Sequence, residues 1–70
     1  MSKILKEFGR NVRRERLNKN LSQEELGFKA GLHRTYIGMI ERGEKNITLG
    51  NISKIAKALK IPITRLFDNE

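Results

Sequence analysis

The chain has no cysteine, one histidine, one proline and eight acidic residues in a length of seventy. Without cysteine there is no disulfide framework and no thiolate metal site, so the core must hold by packing alone, as suits a reducing cytosol. His33 is the sole histidine, and Ser2, Ser22 and Ser53 therefore lack the partners for a nucleophile and base set. Glu24 and Glu25 are adjacent and diverge on a helix, which makes them first-turn charges favourable to the dipole, not a facing carboxylate pair. No run approaches the roughly 20 apolar residues of a membrane span, and no signal-peptide core follows Met1. A domain of this size buries only about 60% of its unfolded surface, too little to spare a deep metabolite cleft. Neither enzyme, cofactor, metal, small-molecule ligand nor membrane is expected, and the cytoplasm is the expected compartment.

Positive charge is present in excess. Fifteen Lys and Arg give a net charge of +7, and seven of them (Lys3, Lys6, Arg10, Arg13, Arg14, Arg16, Lys19) crowd the first twenty residues against Glu7 and Glu15. Clustering of this kind points to a polyanion partner more than to solubility alone.

The segment Ser22 to Gly43, SQEELGFKAGLHRTYIGMIERG, spells two short helices hinged at a glycine. Ser22 and Glu25 have the spacing of a capping box, which satisfies backbone donors at a helix start. Leu26 and Ala30 share a face, and Gly31 supplies the left-handed backbone that ends the helix. Tyr36, Ile37 and Ile40 then recur on an inner face, leaving Arg34, Thr35, Gly38, Met39 and Arg42 outside, until Gly43 stops the second helix.

Before this unit, residues 2–18 read as a basic amphipathic helix with Leu5, Phe8 and Val12 on one stripe. Arg16 is the next position of that stripe, where a charge needs a buried partner. Glu41 extends the Ile37 and Ile40 line, so an Arg16–Glu41 pair is expected. After the unit, GEKNIT forms a loop with Ile47 dipping inward, and Thr48 caps a fourth helix along Leu49, Ile52, Ile55, Ala56 and Leu59. Pro62 starts a last short helix with Ile63, Leu66 and Phe67 on its apolar side. The expectation is one all-α domain over 1–70, a compact five-helix bundle, with fraying at Met1 to Lys3 and Asp68 to Glu70.

A major groove about 12 Å wide admits one helix, whose N-terminal side chains reach base edges. Arg34 and Thr35 occupy that end: arginine can fork onto guanine, and threonine offers a hydroxyl and a methyl. His33 opens the same helix, where it caps backbone or touches a phosphate. Gly38 costs about 1 kcal/mol relative to alanine, which leaves two reasons for it, close approach of DNA or a tight helix crossing within the protein. Gln23 at the start of the preceding helix can hold one phosphate, and Arg42, Lys45 and Asn46 beyond the recognition helix another. Taken singly, each of these reads as a solvated surface side chain, but together, at both ends of a recognition helix, they favour the phosphate reading.

On these residues the whole chain resembles the Cro and CI repressor type (XRE family) of helix-turn-helix domain, the lambda repressor-like fold that binds operators as a dimer. GLHRTYIGMIERGEKNITLGNISKIAKAL is more narrowly similar to the stand-alone controller proteins of bacterial restriction-modification systems, which regulate their own operon and delay the endonuclease until the methyltransferase has acted. The resemblance implies that Gln23 anchors a phosphate, that Arg34, Thr35, Tyr36, Gly38 and Met39 face the groove, and that Arg42, Lys45 and Asn46 flank it. It also puts Arg16 and Glu41 at the family's structural ion pair. Gly38 often carries a polar side chain in that family, so a base contact there is absent or made by backbone, and Met39 offers apolar contact only.

Ile52, Ile55, Ile61, Ile63, Leu66 and Phe67 make more apolar surface than a short terminal helix can hide, which predicts a twofold dimer interface. Two recognition helices would then meet grooves about 34 Å apart on a palindromic double-stranded DNA site. The rivals are an antitoxin or other protein-interaction module, a phage-type repressor, and an RNA binder. The last is disfavoured because Tyr36 and the three phenylalanines mostly fit core positions.

Overall fold

The computed structural model describes residues 2–68. Four α-helices follow in order: α1 (Lys3–Asn18), α2 (Gln23–Ala30), α3 (Arg34–Glu41) and α4 (Leu49–Leu59). The expected fifth helix is instead a single 3-10 segment, Ile63–Phe67, with Pro62 at its cap and no side-chain cap hydrogen bond. Five residues without a cap cannot repay the cost of nucleating an α-helix, so the tighter turn, held by packing, wins. Among the described residues no helix is long and apolar enough to cross a membrane.

Each helix start has its own cap. Ser2 Oγ accepts from the Leu5 N–H, the Ser22–Glu25 capping box is complete in both directions, His33 Nδ1 accepts from the Thr35 N–H, and Thr48 Oγ1 accepts from the Asn51 N–H. α2 ends at Gly31 with φ of +72°, the left-handed conformation that glycine adopts without a Cβ penalty. Of the residues expected to fray, Ser2 and Lys3 stand at the capped start of α1, and the Asp68 carbonyl accepts from Asn11 Nδ2. The same expectation for Met1, Asn69 and Glu70 lies outside the described residues.

The core draws Phe8 and Val12 from α1, Leu26 and Ala30 from α2, Ile37 and Ile40 from α3, Ile52, Ile55, Ala56 and Leu59 from α4, and Leu66 from the 3-10 segment. Burying each leucine or isoleucine fully contributes about 1.5 to 3 kcal/mol. α1 crosses α3 at Gly9, where any Cβ would overlap the Ile40 and Glu41 carbonyl groups. Glycine is required there by the close approach of two backbones.

Three apolar expectations are corrected. Ile52, Ile55 and Leu66 are not surface for a partner but part of this core, at 6%, 0% and 0% exposure. The 3-10 segment folds back on α1, where Asn11 donates to the Leu66 and Asp68 carbonyl oxygens at 3.0 and 2.8 Å, and this drives Leu66 inward. Leu49, expected on the buried stripe of α4, is exposed because it is the first residue of that helix and the buried stripe begins one turn later, at Ile52. Phe28 is 88% exposed and Phe67 48%, so of the phenylalanines Phe8 alone is a core residue.

Candidate nucleic-acid interface

α2 and α3 are joined by a turn of three residues, Gly31 to His33, and the Leu32 N–H returns to the Gly27 carbonyl at 2.8 Å. This closes α2 against the start of α3, which leaves Arg34 and Thr35 exposed on the first turn of the second helix. Arg34 Nη1 lies 3.6 Å from Glu24 Oε1, and both side chains are mostly solvated. A pair of this kind contributes little, so the guanidinium is free to exchange Glu24 for another acceptor. His33 spends Nδ1 on the cap and is otherwise exposed.

Beneath this face lies the polar system that sets its geometry. Arg16 Nε and Nη2 reach Glu41 Oε2 and Oε1 at 2.7 and 3.1 Å, a two-pronged pair with both side chains buried. Arg16 Nη1 also donates to the Leu21 carbonyl at 2.8 Å, fixing the chain just before α2. Glu41 Oε1 further accepts from Gln23 Nε2 at 3.1 Å, which ties the first residue of α2 to the last of α3. Both expected partners of the buried pair are therefore together, and Gln23 joins them as a third member.

The remaining site residues divide by exposure. Tyr36 is half-buried against the core with its hydroxyl accepting from Asn51 Nδ2 at 3.0 Å, so α4 orients it. Met39 is half-buried on the outer side of α3, and Lys45 and Asn46 are exposed in the loop that follows. Arg42 caps the end of α3 and pairs with Glu44 at 3.1 Å in solvent. Gly38 is buried, covered by the side chains of Gln23 and Arg42. The three atoms nearest a Cβ placed there all belong to these side chains and none to another helix's backbone, which argues against the crossing reason for this glycine. Glu25, at the start of α2, is held below the usual glutamate range by the Ser22 backbone N–H and then by the Ser22 hydroxyl.

A second buried acid, Glu15, lies outside the Arg16–Glu41 pair. Glu15 Oε2 receives Arg14 Nη2 at 3.1 Å and Arg65 Nη2 at 3.0 Å, joining α1 to the 3-10 segment. Glu15 stands three residues after Val12 on the same stripe as Arg16, which is the signal available in the sequence. Among the described residues every buried side-chain nitrogen and oxygen has a partner.

The helix-turn-helix family profile HTH_3 matches residues 12–66. Control protein C.BamHI of Bacillus amyloliquefaciens is 55% identical over 62 residues, which cover 87% of this chain and 76% of that protein. The crystal structure of the restriction-modification controller protein C.AhdI from Aeromonas hydrophila superposes with a TM-score of 0.89 at 49% identity, covering 90% of this chain and 96% of the other. The controller protein C.Esp1396I, solved as a tetramer in complex with its natural 35-base-pair operator, gives a TM-score of 0.88 at 34% identity over 96% of this chain and 88% of that one. With its turn, its recognition helix and the Arg16–Glu41 pair beneath them, the chain belongs to the helix-turn-helix family, among the restriction-modification controller proteins.

Proposed function

We propose that this protein is a sequence-specific DNA-binding transcriptional regulator that controls a restriction-modification operon, acting as a homodimer on a palindromic operator, without catalytic activity or cofactor, as a single domain over 1–70. The observation that carries the reading is the first turn of α3, where Arg34 and Thr35 stand exposed above a buried frame shared by α1, α2 and α3. C.Esp1396I on its operator supports the same role for this close structural relative. Arg34 and Thr35 read base edges, Tyr36, Gly38 and Met39 line the contact, and Gln23, His33, Arg42, Lys45 and Asn46 meet the backbone. Ile63 and Phe67, exposed on the 3-10 segment, with half-buried Ile61, are what remains of the expected dimer surface. Sedimentation showing only monomer, alone and on DNA, would remove the twofold arrangement.

The decisive measurement compares operator and mixed-sequence duplexes across a salt titration. Arg34→Ala should cost about 1 to 3 kcal/mol on the operator and narrow its advantage over mixed sequence, whereas Lys45→Ala should weaken both alike and flatten the salt dependence by about one phosphate. Identical effects of the two changes on both duplexes would refute the division between base reading and backbone contact.

A further inference from the structure

Tyr36 differs from Arg34 and Thr35 in having its polar atom held from another helix. Arg34 meets only the solvated Glu24 carboxylate and Thr35 stands exposed, so both can adjust to what they touch. Tyr36 is fixed at two points: its ring packs on the core beside the fully buried Ile37, and its hydroxyl oxygen accepts from Asn51 Nδ2 at 3.0 Å. A tyrosine has two side-chain torsions, so packing at one end and a hydrogen bond at the other leave it little freedom. Asn51 is itself pinned. Its backbone N–H is taken by Thr48 Oγ1 at 3.2 Å in the cap of α4, and the next residue, Ile52, is buried in the core.

The direction of the Asn51 hydrogen bond decides what the hydroxyl can do next. A phenol has one O–H to donate and lone pairs to accept with, whereas an amide nitrogen only donates. Tyr36 therefore accepts from Asn51, and its single O–H hydrogen is turned away from the amide. In the major groove guanine and thymine offer carbonyl oxygens, O6 and O4, where adenine and cytosine offer amines, N6 and N4. A donor set against an amine leaves both unpaired, which is the costly arrangement. Resting on the DNA-binding reading above, we propose that Asn51 determines specificity without touching a base: by occupying the Tyr36 oxygen it makes Tyr36 a donor, which selects a base pair with a carbonyl oxygen facing that hydroxyl and rejects one with an amine there. Asn51 acts through Tyr36 and is a positioning residue.

The test selects bound duplexes from a library of randomised sequence, with the full chain and its variants, and compares base preference position by position. Tyr36→Phe should flatten the preference at one position of the site by about three- to tenfold, the weight of one hydrogen bond, and leave the other positions as they are. Asn51→Ala, which frees the hydroxyl to turn, should flatten the same position, and adding it to Tyr36→Phe should change nothing more. Asn51→Asp separates positioning from mere support. It keeps the shape of the side chain and puts a carboxylate in the first turn of a helix, which favours folding, but it can only accept, so the Tyr36 O–H turns toward it and the oxygen lone pairs face outward. Preference at that position should then turn over, to a pair that sets an amine where the parent's sets a carbonyl oxygen. A preference in Asn51→Asp identical to the parent's overturns the proposal, as does an Asn51→Ala that leaves the Tyr36-dependent position untouched. An Asn51→Ala that melts lower and weakens every position alike makes the bond structural only, and overturns it too. So does a Tyr36→Phe that has no effect, or that weakens every sequence equally, which gives the hydroxyl to a phosphate. A parent chain that retains no duplex from the library refutes the DNA reading itself, a result distinct from a parent that enriches a site which Asn51 does not alter.

Discussion

Glu15 and Arg16 are consecutive on α1 and both buried, but they tie that helix to different halves of the molecule and under different solvation. Arg16 faces Glu41 with side-chain exposures of 9% and 3%, so both charges are almost wholly withdrawn from water. Glu15, only 2% exposed itself, faces Arg14 at 35% and Arg65 at 49%, so its partners remain half in solvent. The first arrangement locks the helix-turn-helix, and the second fastens the 3-10 segment. A buried charge is held strongly by its pair only when both members have lost water, because then removal of one leaves the other with nothing to replace it. Where the partners are wet, loss of one is made good by the second and by solvent.

The sharpest way to break this contrast is Glu41→Ala. It strands the Arg16 guanidinium and releases Gln23, and it should destabilise by about 3 to 5 kcal/mol in urea unfolding followed by circular dichroism. A loss within about 0.5 kcal/mol, the scale of ordinary surface substitutions, would mean the pair is hydrated after all. Arg65→Ala should cost about 1 kcal/mol or less, since Arg14 still covers Glu15 and the removed side chain is half in water. An effect as large as that of Glu41→Ala would put the two systems on equal footing and dissolve the distinction.

The smallest effect belongs to a fully solvated carboxylate, Glu25. Its folded value is depressed by the hydrogen bonds from Ser22, so its contribution is present above the unfolded carboxylate range and is lost as pH falls through the folded value. The stability gap between the parent and Glu25→Ala should therefore be steady near neutrality and close on acidification. A gap that widens as pH falls would reverse the sign and exclude the capping box as its source.

Much of this was legible in the linear chain because it is local. Ser22 with Glu25, Gly31 and Thr48 mark helix ends by chemistry that operates within one turn, and each stands where it was expected. Arg16 was legible through its conflict with the apolar stripe, a charge that only a buried partner explains. Phe28 suggests a core position by residue type, but two positions past Leu26 it lies about 200° around the helix, on the opposite face. Leu49 has the right angle on α4 and the wrong height, a coordinate that periodicity does not contain. Leu66 looked like dimer surface because its cover, α1 and the Asn11 side chain, lies 55 residues away. Of the interface, exposure of Arg34 and Thr35 was readable from helical phase, but the Asn51 hold on Tyr36 was not.

The amino-acid sequence by itself determined the four α-helices, the hinge between α2 and α3 and the concentration of positive charge, since propensity, capping and net charge are properties of neighbours or of the whole sum. Tertiary structure alone decided which apolar residues remain uncovered, which acid Arg65 would meet, and that Gln23 and Arg42, nineteen positions apart, converge over Gly38. Those outcomes depend on how the helices cross and how far each extends beyond the core. Both are settled by packing between segments distant along the chain.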